Sequence, residues 1–334
     1  KEINSWKSFS QTLEKFNNKE KGDAFEILTK YFFLTLPKYS FYDNVWLLDE
    51  VPQKVLDKIG LPRADLGIDL ILKKGNEFHA VQCKYHSDTS KSVTYNELST
   101  FLALVGKYKK ISRAYICSNA NVTSKNYDKL KFKGVSKILS DTWESLPNIF
   151  FSNVRAFLEK KPLKLEVYKP RNHQKKAIDN AKKYFIKHKR GKLIFPCGSG
   201  KSLTGFWIMK ELKSKNTIVA VPSLSLIKQT LDVYLTQIVA RKEKIEWICI
   251  CSDDGIGKSD DVAILTEDVG VPCLTDFEYI KEWVTKNYKR EKIIFTTYQS
   301  AKIISEASRK CNLKFDIGIF DEAHKTVGDK KSLF

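Results

Sequence analysis

From Lys192 onward short apolar runs alternate with longer runs of helical period, and this alternation restricts the chain more than any other feature. "KLIFP" reads as a strand and "KSLTGFWIMKELKS" as a helix; "TIVAVP" as a strand and "LSLIKQTLDVYLTQIV" as a helix; "IEWICICS" as a strand. "TDFEYIKEWVTKNY" reads as a helix opened by Thr275 and Glu278, and "KIIFTTY" and "FDIGIF" as strands. Strands separated by helices pair in parallel, with helices on both faces of the sheet.

The residues before this region follow another order. A polar-faced helix is expected over 1–20, and a buried helix over 22–36 that stops at Pro37. Two strands meet in a tight turn at Lys73, Lys74, Gly75 and Asn76; Thr94 and Glu97 form a capping box that starts a helix; and "RAYICSN" is a strand. The result is α-β-β-α-β, a mixed sheet flanked by helices. The expected class is α/β: a mixed-sheet domain over 1–154, a charged, proline-bearing linker over 155–168, and a parallel-sheet domain over 169–334. A length of 334 residues suits two domains of roughly 100–200 each.

Composition narrows the partners. No apolar run approaches the roughly 18 residues of a membrane helix, and no signal peptide opens the chain. The first residue is Lys1, which suggests a processed or trimmed chain. Cys83, Cys117, Cys197, Cys249, Cys251, Cys273 and Cys311 are scattered, without a CxxC pair or a matching histidine spacing. They read as free thiols in a reducing, intracellular compartment, and no structural zinc site is expected. Lysine and arginine number 58 against 39 acids, a formal +19. Such a field draws polyanions, nucleic acid being the commonest; a solvated lysine-rich surface gives the same balance.

"IFPCGSGKSLTG" lies between a strand and a helix. Gly198, Ser199 and Gly200 let backbone N–H groups turn toward a phosphate at a helix N-terminus. Lys201 can reach the terminal phosphates of ATP and the Ser202 hydroxyl can ligate Mg²⁺. The strict pattern asks for glycine where Phe195 stands, and an ordinary glycine-rich turn is the alternative. Downstream, "FDIGIFDEAH" ends an apolar strand in acids. Asp321 can hold Mg²⁺ through water, and Glu322 can orient the attacking water; two acids that merely open a helix are the alternative.

In "GIDLILKKGNEFHAVQCKYH", Asp69, Gln82 and Lys84 sit among strand apolars. Gln82 and Lys84, at i and i+2, share a face, and the turn returns them toward Asp69. An acid, an amide oxygen and a lysine suit metal-dependent phosphodiester hydrolysis, with Asp69 and Gln82 on Mg²⁺ (or Mn²⁺) and Lys84 orienting water or offsetting charge. Asp65 is a second ligand or a turn residue. His79 and His86 are structural or contact phosphate.

The second half resembles the first lobe of superfamily 2 helicases, from about Lys169 to Phe334. "YKPRNHQKKAI" is similar to the adenine-reading segment, which implies that role for Gln174. "CGSGKS" resembles motif I, "VAVPSLSLIKQT" motif Ia, "TTYQSA" motif Ib and "DEAH" motif II, where His324 would link nucleotide to nucleic acid. The resemblance implies a second RecA-like lobe beyond this chain, and weak ATPase without it. The "D…QxK" hairpin resembles the Mrr-like branch of the PD-(D/E)XK nucleases, in which Gln82 replaces an acid. There the preceding helix lends another acid, implying that role for Glu26, which otherwise makes a pair with Lys30. Nuclease before helicase lobe resembles the N-terminal half of type ISP restriction enzymes, which implies ATP-driven translocation on double-stranded DNA, cleavage, and downstream methyltransferase and target-recognition domains. A nuclease fold that only grips DNA, and an RNA helicase with an unrelated N-terminal domain, are the alternatives.

Overall fold

The computed structural model describes residues 3–64, 67–130, 134–252, 265–286 and 290–323. The chain divides into two compact units, Lys1–Lys164 and Leu165–Phe334.

The first unit opens with the two helices expected, but the break between them falls at 14–17 rather than at 21. α1 (Trp6–Leu13) is capped by Ser5, and α2 spans Asn18–Thr35. The break has a local cause. Asn17 Oδ1 accepts from the Glu20 N–H at 3.0 Å, and Glu20 Oε2 accepts from the Asn17 N–H at 2.9 Å, so a new helix starts there. α2 buries Phe25, Leu28, Phe32 and Phe33 and ends at Leu36, whose extended backbone suits the residue before Pro37.

β1 (Asn44–Leu47) and α3 (Gln53–Ile59) follow, then the hairpin of β2 (Leu70–Lys74) and β3 (Glu77–Lys84). The turn forms as expected, with Gly75 at φ +58° and its N–H given to Asp43 at 2.6 Å. α4 (Tyr95–Lys107) carries the Thr94–Glu97 capping box. β4 (Ile111–Ser118), α5 (Lys125–Leu130), β5 (Val135–Ile138), α6 (Ser140–Glu144) and α7 (Asn148–Leu158) complete the unit. The sheet order is β1-β2-β3-β4-β5, antiparallel through β3 and parallel beyond it. β1 and β5 went unread because a strand of four residues carries almost no period.

Both sheet faces are covered, which is why these strands read as continuous apolar runs. On one face Phe33 packs on Tyr115, and Phe32 on Trp143. Trp143 is fully buried and donates its indole N–H to Ser118 O at 3.0 Å. On the other, Ile71, Phe78 and Ala80 join Leu98, Phe101 and Leu104 from α4.

The second unit contains α8 (Asn172–Tyr184), α9 (Lys201–Glu211), β6 (Asn216–Val221), α10 (Leu224–Ala240), β7 (Glu246–Ile250), α11 (Phe277–Thr285), β8 (Lys292–Thr297), α12 (Ala301–Cys311) and β9 (Ile317–Phe320). Its strands are parallel in the order β7-β8-β6-β9. Two expectations are corrected. Lys192–Pro196 forms no strand: Leu193 and Ile194 are exposed, and a short apolar run needs a neighbour's ladder to become one. α11 is capped by Asp276, not Thr275; the Asp276 carboxylate accepts from the Tyr279 N–H at 2.8 Å.

Candidate functional site

In the first unit, Asp69 stands immediately before β2, and Gln82 and Lys84 close β3. Asp69 Oδ2 accepts from the N–H of Cys83 at 2.6 Å, so the acid reaches the peptide between Gln82 and Lys84. The Asp69 N–H goes to Val81 O at 2.9 Å. Gly67, at φ +90°, lets the approaching chain pass Gln82 closely; a Cβ there would lie 3.1 Å from Gln82 Nε2. Gln82 is 2% exposed, and its Oε1 has no hydrogen-bond partner. A buried oxygen in that condition costs free energy unless something coordinates it. With the Asp69 carboxylate nearby, the donor set is oxygen, which fits a hard cation such as Mg²⁺ or Mn²⁺.

Glu26 lies on α2. That helix covers the opposite face of β3, where Thr29 lies against Cys83 and Phe25 packs on Tyr85 just past the strand. Lys30 is held not by Glu26 but by both oxygens of Glu50, the shorter contact at 2.5 Å. His79 is buried, with Nδ1 2.6 Å from the Tyr42 hydroxyl, which in turn donates to Tyr115. Its Nε2 is 3.7 Å from Glu77, beyond hydrogen-bonding reach. His86 exchanges backbone hydrogen bonds with the Asn119 side chain, both at 2.7 Å. The His79 ring is thus part of the frame, while the His86 ring has its Nε2 3.5 Å from Glu97 Oε1. Asp65 lies outside the described residues.

In the second unit, Gly198 and Gly200 take left-handed backbone at φ +74° and +82°, and α9 begins at Lys201. Gln174 packs beneath the loop. Its Nε2 donates to Ser199 O at 3.1 Å, while its Oε1 accepts from the Arg171 N–H at 2.8 Å. A Cβ on Gly200 would lie 2.6 Å from Gln174 Nε2, so a side chain here would have to displace that amide. Gln174, expected as the adenine reader, thus packs against the loop that precedes α9. Lys201 Nζ meets Glu322 Oε1 at 2.5 Å, and Ser202 Oγ lies 3.4 Å from Asp321 Oδ2. The Glu322 carboxylate raises the Lys201 pKa above the ordinary lysine value. These four residues, from the first turn of α9 and the end of β9, bring together groups that could hold a phosphate and a hard cation. Sequence reading missed Tyr298, whose hydroxyl donates to Asp321 O. A tyrosine ending a buried strand was the available signal, since its hydroxyl needs a partner. His324 lies outside the described residues.

The two units match two family models in turn. Residues 36–147 match one described as a restriction endonuclease, of Mrr type, and residues 167–332 match the type III restriction enzyme res subunit. The chain thus carries a restriction-endonuclease domain followed by a helicase-type domain, which displaces the reading of an unrelated N-terminal domain.

Among solved structures, 98% of this chain aligns with the ATP-dependent Type ISP restriction-modification enzyme LlaBIII bound to DNA, at TM-score 0.75 and 24% identity. This chain spans 21% of that protein's length. A nuclease-deletion mutant of the Type ISP enzyme LlaGI in complex with a DNA substrate mimic aligns over 49% of this chain and 16% of that one, with 27% identity and TM-score 0.37. No curated protein matches. Among the described residues, no helix is long and apolar enough to cross a membrane.

Proposed function

We propose that this chain is the nuclease and first motor portion of an intracellular, ATP-dependent restriction enzyme that acts on double-stranded DNA. The observation that carries this reading is the Asp69 carboxylate fastened to the peptide between Gln82 and Lys84, beside a buried amide oxygen with no partner. Asp69 and Gln82 Oε1 would hold a divalent ion. Such an ion polarises the scissile phosphate and lowers the pKa of a bound water. Lys84, half-buried on the Gln82 face, offsets the charge that develops on the phosphate. Glu26 has a lesser part, so Glu26→Gln weakens cleavage without abolishing it.

In the second unit the loop N–H groups receive the phosphates, and Lys201 exchanges Glu322 for the incoming phosphate oxygens. Ser202 and Asp321 would hold Mg²⁺. Glu322, once released, orients the attacking water, coupling hydrolysis to movement along DNA. Downstream chain would supply a second lobe, methyltransferase and target recognition. The charge of +19 favours this polyanionic substrate.

The test is nicking of supercoiled plasmid in Mg²⁺ or Mn²⁺ by the wild-type chain and by Lys84→Ala. Loss of nicking in the variant is expected. Equal nicking by both refutes cleavage at this site. Binding of duplex DNA by both, with nicking by neither, leaves a fold that only grips.

A further inference from the structure

Three cysteines distant in the sequence meet in the second unit. Cys249 lies in β7 and Cys251 just beyond its end, so their side chains share one face of the strand. Cys273 comes from a segment laid parallel along the outer edge of β7: Cys249 and Cys273 form a parallel bridge, and the Leu274 N–H donates to Cys249 O at 2.9 Å. Cys249 Sγ is 3.5 Å from Cys251 Sγ and 3.7 Å from Cys273 Sγ, and all three sulfurs lie within 4.8 Å of one another. Cys249 and Cys251 are each 1% exposed, while Cys273 is partly open to solvent.

The two shorter separations are close to those of one particular geometry. Sulfurs bound to a zinc ion at ~2.3 Å in tetrahedral arrangement stand about 3.8 Å apart. Three soft donors around one point select a thiophilic ion over Mg²⁺ or Ca²⁺. The surroundings supply what a thiolate cluster needs. Cys251 is also flanked by Thr297, whose backbone and hydroxyl both bear on its thiol. Thr297 is itself fixed, its hydroxyl 3.1 Å from Ser300 Oγ, which accepts from the Ser252 N–H at 3.0 Å. Hydrogen bonds of this kind are the usual outer support of a metal centre.

We infer that Cys249, Cys251 and Cys273 form a three-thiolate site for a zinc-class divalent ion, with solvent in the fourth position. Each thiol that ionises on binding releases its proton to solvent. The ion staples the 273–274 segment to the edge strand and, through Thr297, stiffens the turn after β8.

The test uses the whole chain, reduced and freed of metal with a chelator, then titrated with Co²⁺. One equivalent per chain is expected to produce sulfur-to-cobalt charge-transfer absorption and the visible bands of a tetrahedral site, both abolished by Zn²⁺. Cys273→Ser is expected to weaken Co²⁺ binding by more than about tenfold. Because a cysteine variant can fold poorly, the wild-type chain is also alkylated with and without Zn²⁺ and mapped by mass spectrometry. Zinc is expected to slow alkylation of Cys273 while leaving that of exposed Cys197 unchanged. Absent bands with equal alkylation overturn the site, as does Co²⁺ binding by Cys273→Ser that equals wild type. Formation of a Cys249–Cys273 disulfide without metal uptake also overturns it.

Discussion

Lys201 and Glu322, 121 residues apart, meet at 2.5 Å, so the lysine proposed to take a phosphate is held by the acid proposed to orient water. In the proposed function, each would keep the other from its task until nucleotide arrives. Lys201→Ala is therefore expected to abolish measurable ATP binding by calorimetry. Glu322→Gln releases the lysine without removing it. Its nucleotide affinity should equal or exceed wild type, while any turnover the chain supports falls by roughly 10²–10⁴.

Gly200→Ala tests the cradle. The added Cβ meets Gln174, and the left-handed backbone at φ +82° costs a non-glycine residue about 1–2 kcal/mol. ATP affinity is expected to fall with far-ultraviolet circular dichroism unchanged. Removing the obstructing amide with Gln174→Ala in the same chain should restore part of the affinity.

Gln82 provides the sharpest test of the oxygen site. Gln82→Glu adds a charge where an oxygen already stands, and Mn²⁺ affinity by electron paramagnetic resonance titration should rise. Gln82→Leu keeps the approximate volume without the oxygen, and should lose Mn²⁺ binding while folding as well as wild type, since it removes an uncompensated buried polar group.

His79 predicts an acid sensitivity. Burial lowers its pKa from the ordinary 6.5, so the folded state keeps it neutral while the unfolded chain takes up a proton. Stability from this residue is present above pH 6.5 and declines as pH falls below it. Urea midpoints of the first unit should drop between about pH 7.5 and 5.5, one unit either side of an ordinary histidine, and the slope should flatten in His79→Gln.

The features legible in the sequence are those with local causes. The Thr94–Glu97 box, the turn at Gly75 and the glycines before Lys201 each depend on neighbours within a few residues. What escaped depends on distant partners. The run before Pro196 has strand composition but no ladder; β1 and β5 exist because a longer strand accepts them. The cysteines carried no spacing signal because Cys249 and Cys273, 24 positions apart, are joined by edge pairing. Gln174 was visible as a polar residue at a helix start, but its contact with the loop required the fold.

The Asp69 carboxylate is fastened to a peptide N–H of β3, the middle strand of five. Its aim is set by the sheet, so the freedom lost in holding it still is lost on folding, and capture of an ion adds little further ordering cost. The same tether makes tightness of the hairpin and competence of the acid a single variable. Whatever slackens the pairing of β2 with β3 swings the acid off target before the domain melts, so cutting should fail at lower temperature than folding does.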